Sequence, residues 1–104
     1  MLKNISPILS PELLKILMEM GHGDEIVIGD GNFPAASNAQ RLIRCDGHNV
    51  PELIDAILQL FPLDTYQLPA YIMAKTPGDT VETPIWDTYA EIIKPYTNEK
   101  LEQI

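Results

Sequence analysis

The sequence is poor in cysteine, in basic side chains and in long apolar runs, and each shortage narrows the field. Cys45 is the one cysteine in 104 residues, so no intrachain disulfide can form. It sits in the run LIRCDG and is expected as a small core residue. No nearby cationic cluster or helix start would lower its pKa and make it a catalytic thiol. Seven Lys and Arg face fifteen Asp and Glu, a net charge of -8. That balance repels phosphate backbones and anionic lipid, so nucleic acid and membrane surfaces are not expected partners. No apolar run approaches the roughly 18 residues of a membrane span. The start, MLKNISPILSPELLK, lacks the apolar core and cleavage site of a secretory signal, which predicts a cytoplasmic protein.

Familiar chemical motifs are also missing. No G-x-x-x-x-G-K-[ST] loop or G-x-S-x-G elbow occurs. The segment GDGNFP carries glycines without the G-x-G-x-x-G spacing, and a proline stands where a helix should open. Two histidines and one cysteine give no zinc spacing. His22, Asp24, Asp30, Asp46 and His48 could be gathered around a metal only in an arrangement that no spacing supports, so no metal is expected.

What is present reads as one domain over residues 1–104, 45% hydrophobic and able to form a small core. SPELLKILMEMG predicts a helix: Ser10 caps it, Pro11 takes the first turn, and Gly21 stops it. Leu13, Leu14, Leu17 and Met18 share a face. Glu25 to Gly29 reads as a strand whose contiguous Ile26, Val27 and Ile28 predict burial on both faces. GNFPAASNAQ is expected to be loop, and RLIRCDG a short second strand ending in an Asp-Gly turn. Residues 51–60 predict a second helix and residues 70–75 a third strand. A last helix opens at Thr83-Pro84 and is broken at Pro95. The tail YTNEKLEQI is polar and fits either a helix or a connection into a further strand.

This order predicts an α/β protein, a three-layer sandwich with a largely parallel sheet and helices on both faces. Three strands are few for that fold. The chain is therefore expected to be C-terminally truncated or to depend on partner chains.

General acid–base chemistry is what the remaining residues can do. His22 stands between two glycines just past a helix end, and imidazole both takes and gives protons near neutrality. Asp30 lies at the carboxyl end of the first predicted strand, where open α/β sheets bind ligands. Asn32 can donate and accept, and Phe33 can offer an apolar wall. The residues alone leave plainer readings open. His22 can be a loop histidine favoured by a helix C-terminus. Asp30 and His48 can be turn residues, and Asp24 and Glu25 solvated. Trp86 and Tyr89 are expected to pack on the sheet.

The run from Met20-Gly21-His22 through Asp24, the apolar strand, Asp30, Phe33 and Pro34 resembles the amino-terminal signature of the fucose mutarotases, relatives of D-ribose pyranase. IRCDG, PELIDAILQLFPLDTY and TPIWDTYAEI resemble the fucose branch, so the likeness covers essentially the whole chain. The resemblance implies an isomerase that interconverts α and β anomers of a free pyranose, L-fucose ahead of D-ribose, without a cofactor. It implies His22 as proton donor and Asp30 as a substrate-binding residue. It also implies a ring-shaped homo-oligomer, often a decamer, with sites at subunit boundaries. At roughly 3.3 Å per strand residue, His22 and Asp30 are expected about 15–20 Å apart, which suggests a site shared between subunits. Two departures stand out. Asn32 occupies a position where some relatives carry histidine, and the late G-E-x-x-x-Y-[GA]-N motif that binds sugar in the family is not in these residues. The latter departure raises the alternative of a non-catalytic sugar-binding or oligomer-forming subunit.

Overall fold

A computed structural model describes residues 1–99 and 101–103. Helix α1 (Pro11–Glu19) starts as the sequence predicts, with the Leu13 N–H donating to the Ser10 hydroxyl at 3.1 Å. Its end differs. Met20 already has extended backbone, and Gly21 is not left-handed. The stop comes from Asp24, whose carboxylate accepts the Gly21 N–H at 2.8 Å. The Gly21 N–H is thus taken by a side chain instead of extending the helical ladder.

Within the predicted loop, Ala35–Asn38 forms one helical turn, α2, closed by the Asn38 side chain donating to the Pro34 carbonyl. Helix α3 (Val50–Leu58) opens on a reciprocal cap: Asn49 accepts the Glu52 N–H at 3.0 Å, and Glu52 accepts the Asn49 N–H at 2.8 Å. The sequence reading placed this start one residue late and missed the cap. Helix α4 (Pro84–Ile93) runs on into a 3₁₀ turn, Lys94–Tyr96. The α-helix thus ends just before Pro95, as the sequence predicts, and the chain goes on as a 3₁₀ turn, where an early residue needs no N–H partner.

The strands depart further from expectation. Strand β1 is Tyr71–Ile72, shorter than residues 70–75, and it pairs in parallel with β2 (Glu102–Gln103). The register joins Tyr71 to Glu102 and Ile72 to Gln103, so α4 is the crossover of a parallel pair. The tail thus returns to a strand. Residues 25–29 and 41–47 have no ladder partner among the described residues. Their burial alternates: Ile26, Ile28, Ile43 and Cys45 pack inward, whereas Val27 is 75% exposed and Leu42 is also exposed. The expected burial on both faces is not met, because none of the described residues covers the Val27 side.

The core is Leu9 and Leu13 from the amino-terminal arm and α1, packed on Ala56 and Ile57 of α3. Leu53, Leu58 and Ile93 are also buried, and α3 packs on α4. Cys45 lies at the core's edge, half-buried, as a small apolar filler. Burying seven apolar side chains makes a thin core for a chain of this length. No helix among the described residues is long and apolar enough to cross a membrane.

Candidate functional site

Two loops carry the residues that the sequence nominates. In the first, Gly21 to Asp24 close on themselves. The Asp24 N–H donates to the Gly21 carbonyl at 3.1 Å while its carboxylate takes the Gly21 N–H. Gly23 has φ +91°, where an L side chain is strained, so a glycine here serves the turn. The loop backbone is fixed and His22 is presented to solvent at its tip. No hydrogen bond or ion pair engages the imidazole among the described residues. Its side-chain neighbour is Tyr66, edge-to-face at 5.5 Å between ring centroids with an 87° interplanar angle.

The second loop turns at Asp30. The Asp30 Oδ1 accepts the Asn32 N–H at 2.9 Å, and the Asp30 carbonyl accepts the Phe33 N–H at 3.1 Å. This is an Asx turn, so the plainer reading of Asp30 as a turn former holds for one of its oxygens. Oδ2 is left with no protein donor among the described residues. The carboxylate is therefore both anchored and available. Phe33 folds back over Gly29 so closely that a Cβ there would lie 2.8 Å from three of its atoms. That contact sets the direction in which the chain leaves the turn. The Asn32 side chain is exposed and makes no hydrogen bond among the described residues.

Tyr89 of α4 completes this neighbourhood. Burial raises its phenol above the usual value, and the nearby Asp30 carboxylate raises it further. The phenol is thus a neutral hydroxyl beside Asp30. The sequence predicts Tyr89 on the sheet, and no local spacing reveals that it feels the Asp30 charge. The sequence reading also missed Asp64 and Tyr66. Asp64 is half-buried, and its carboxylate accepts the Tyr66 N–H at 2.8 Å. The Asp-x-Tyr spacing was the available signal, since Asp commonly caps the N–H two residues on.

Among the described residues no hydrogen bond or ion pair joins His22 and Asp30, and each has its own neighbours. His48 proves to be a turn residue. Its N–H donates to the Cys45 carbonyl across Asp46-Gly47, and its Nδ1 lies 3.3 Å from Glu52. Burial, and then Asp46, push the Cys45 thiol up. Trp86 carries Lys75 over its ring at 5.7 Å. An open groove of about 500 Å³ runs between Ile72, Trp86, Ala90, Ile93 and Leu101, away from His22 and Asp30. Among the described residues no His, Cys, Asp and Glu cluster is placed to hold a metal ion.

With helices, a parallel pair and two polar loops in place, the molecule can be set beside known proteins. It has the fold of two solved proteins. One is FucU from Bifidobacterium longum, with TM-score 0.89, 53% identity, and 96% of this chain and 74% of that one covered. The other is the fucose mutarotase of Streptococcus pneumoniae, solved in complex with L-fucose. Here the TM-score is 0.90, the identity 48%, and the coverage 99% and 75%. Residues 3–104 match the RbsD / FucU transport protein family, and the chain belongs to it. It is also 50% identical over 99 residues to the fucose mutarotase of Danio rerio, covering 89% of this chain and 65% of that one. The chain thus spans slightly less than two thirds of that curated relative's length.

Proposed function

We propose that this protein is a mutarotase that interconverts the α and β anomers of a free pyranose, L-fucose in preference to D-ribose. The observation that carries the reading is His22 itself. It is an exposed imidazole on a backbone-locked loop, unengaged by any protein hydrogen bond, in a chain nearly half identical to a fucose mutarotase crystallised with L-fucose.

Mutarotation opens the bond between the ring oxygen and the anomeric carbon and closes it on the other face. His22 gives its proton to the ring oxygen as the C–O bond opens, water accepts the proton of the anomeric hydroxyl, and on closure the same two protons return the other way. Asp30 binds sugar hydroxyls through Oδ2 while Oδ1 stays on the Asn32 N–H. The Tyr89 phenol, kept neutral by burial and by the field of Asp30, adds no charge near that carboxylate. Such acid–base help is worth roughly 10²- to 10⁴-fold. These steps need no cofactor, since no electron or group is transferred.

The same reading includes a three-layer sandwich over a single mutarotase-like domain, residues 1–104, whose sheet uses residues 25–29 and 41–47. Their alternating burial supports it. It includes a cytoplasmic ring-shaped homo-oligomer of decamer type, with His22 and Asp30 of one site drawn from neighbouring subunits. Exposed Val27 and Met73 and the separate surroundings of the two residues support that assembly.

Saturation-transfer NMR on L-fucose at anomeric equilibrium tests the proposal. Exchange accelerated by the protein and abolished by His22→Ala is expected. Fucose binding without acceleration would replace the enzyme by the non-catalytic sugar-binding subunit.

A further inference from the structure

We propose that Tyr66 is a positioning residue for His22, fixing the imidazole so that it meets the sugar's ring oxygen; the role rests on the mutarotase reading above. The loop around His22 is locked by Asp24 and by the left-handed Gly23, but those contacts hold backbone only. The imidazole turns about two side-chain bonds, and the glycines on either side leave it uncrowded. Tyr66 supplies what the loop lacks. Its ring meets the imidazole edge-to-face at 5.5 Å and 87°, the geometry preferred by aromatic pairs.

Tyr66 is itself held from behind. Its N–H donates to half-buried Asp64 at 2.8 Å, so the ring projects from a closed turn. Burial of its own side chain does not explain Tyr66, which is 84% exposed. An aromatic left in water and touching an otherwise unengaged histidine contributes little to the core. Its effect falls on the histidine. Contacts of this type bias a ring between orientations by roughly 2- to 12-fold, and misplacing a catalytic group lowers turnover.

The test compares wild type, Tyr66→Ala and Tyr66→Phe in the fucose exchange assay, with the His22 ring protons followed by NMR. Because Tyr66 is exposed, all three should fold. Tyr66→Ala is expected to lower kcat roughly 2- to 12-fold with KM nearly unchanged. It should also abolish the ring-current shift at His22, and Tyr66→Phe should restore both. Unchanged kcat in Tyr66→Ala overturns the proposal, as do unmoved His22 signals. A raised KM with full kcat also overturns it, making Tyr66 a sugar-stacking wall instead. Failure of Phe to rescue points to the hydroxyl and refutes positioning by the ring. A wild type without exchange overturns the mutarotase reading and the role together, and the ring-current shift then shows separately whether the contact stands.

Discussion

Replacing Gly29 by alanine tests the loop that carries Asp30. A Cβ built at Gly29 falls 2.8 Å from Cβ, Cγ and Cδ1 of Phe33. The clash cannot be relieved by a rotamer change alone, because one of the three atoms is the Phe33 Cβ, fixed to its backbone. The Asp30–Phe33 turn must shift. Overpacking of this kind costs about 1–3 kcal/mol. Gly29 does not have positive φ, so alanine meets no backbone strain there. On its own it would stabilise by about 0.4–1 kcal/mol through the unfolded chain. The net expectation is destabilisation by about 0–2.6 kcal/mol. In a Phe33→Gly background all three clashing atoms are gone, and Gly29→Ala should then stabilise. Urea unfolding of the four proteins in this cycle reads the sign directly. With a slope of roughly 1–3 kcal/mol/M, the midpoint moves by several tenths molar in each direction. An equal loss in both backgrounds would refute the steric account. In the exchange assay the single variant should raise KM, because Asp30 moves with the turn.

Three further outcomes follow from the contacts described. Asn49→Ala removes half of the α3 capping box and should cost about 1 kcal/mol, a fall of roughly 4–8 °C in Tm by calorimetry. Asp30→Asn removes a negative charge beside Tyr89. Phenolate formation becomes easier, so the Tyr89 titration followed by ultraviolet absorbance should move to lower pH while staying above that of free tyrosine, since burial remains. Cys45 should alkylate more slowly than free cysteine near neutral pH, because the thiolate is the nucleophile and its formation is pushed up; Asp46→Asn should speed it.

Helices α1, α3 and α4 were legible because their signals are local, whereas the single turn of α2 was not. Ser10 and Pro11 announce α1, and Pro51 and Pro84 announce α3 and α4. The strands were not, because a ladder is a relation between distant segments. Ile26, Val27 and Ile28 read alike whether or not a partner covers Val27, and burial on one face only is a fact about the rest of the molecule. Strand β2 lies in a polar stretch that resembles a tail until it meets Tyr71 and Ile72. The site divided in the same way. His22 and Asp30 could be nominated from their glycines, their strand and their resemblance to a family pattern. Tyr66 and Tyr89 could not, because each reaches its neighbour through the fold.

The β1–β2 pairing also sets an order of events during synthesis. The residues that join Leu9 and Leu13 to Ala56 and Ile57 are all made before β1 exists, so that core can gather while translation continues. Tyr71 and Ile72 then emerge with no partner, and α4 must follow before Glu102 and Gln103 can reach them. At roughly 5–20 residues per second, that interval lasts a few seconds. During it, exposed Tyr71 and Met73 lie beside an unpaired backbone edge, open to the same segment of a neighbouring nascent chain. On a polysome, spacing between ribosomes would therefore influence how much of this protein escapes early association.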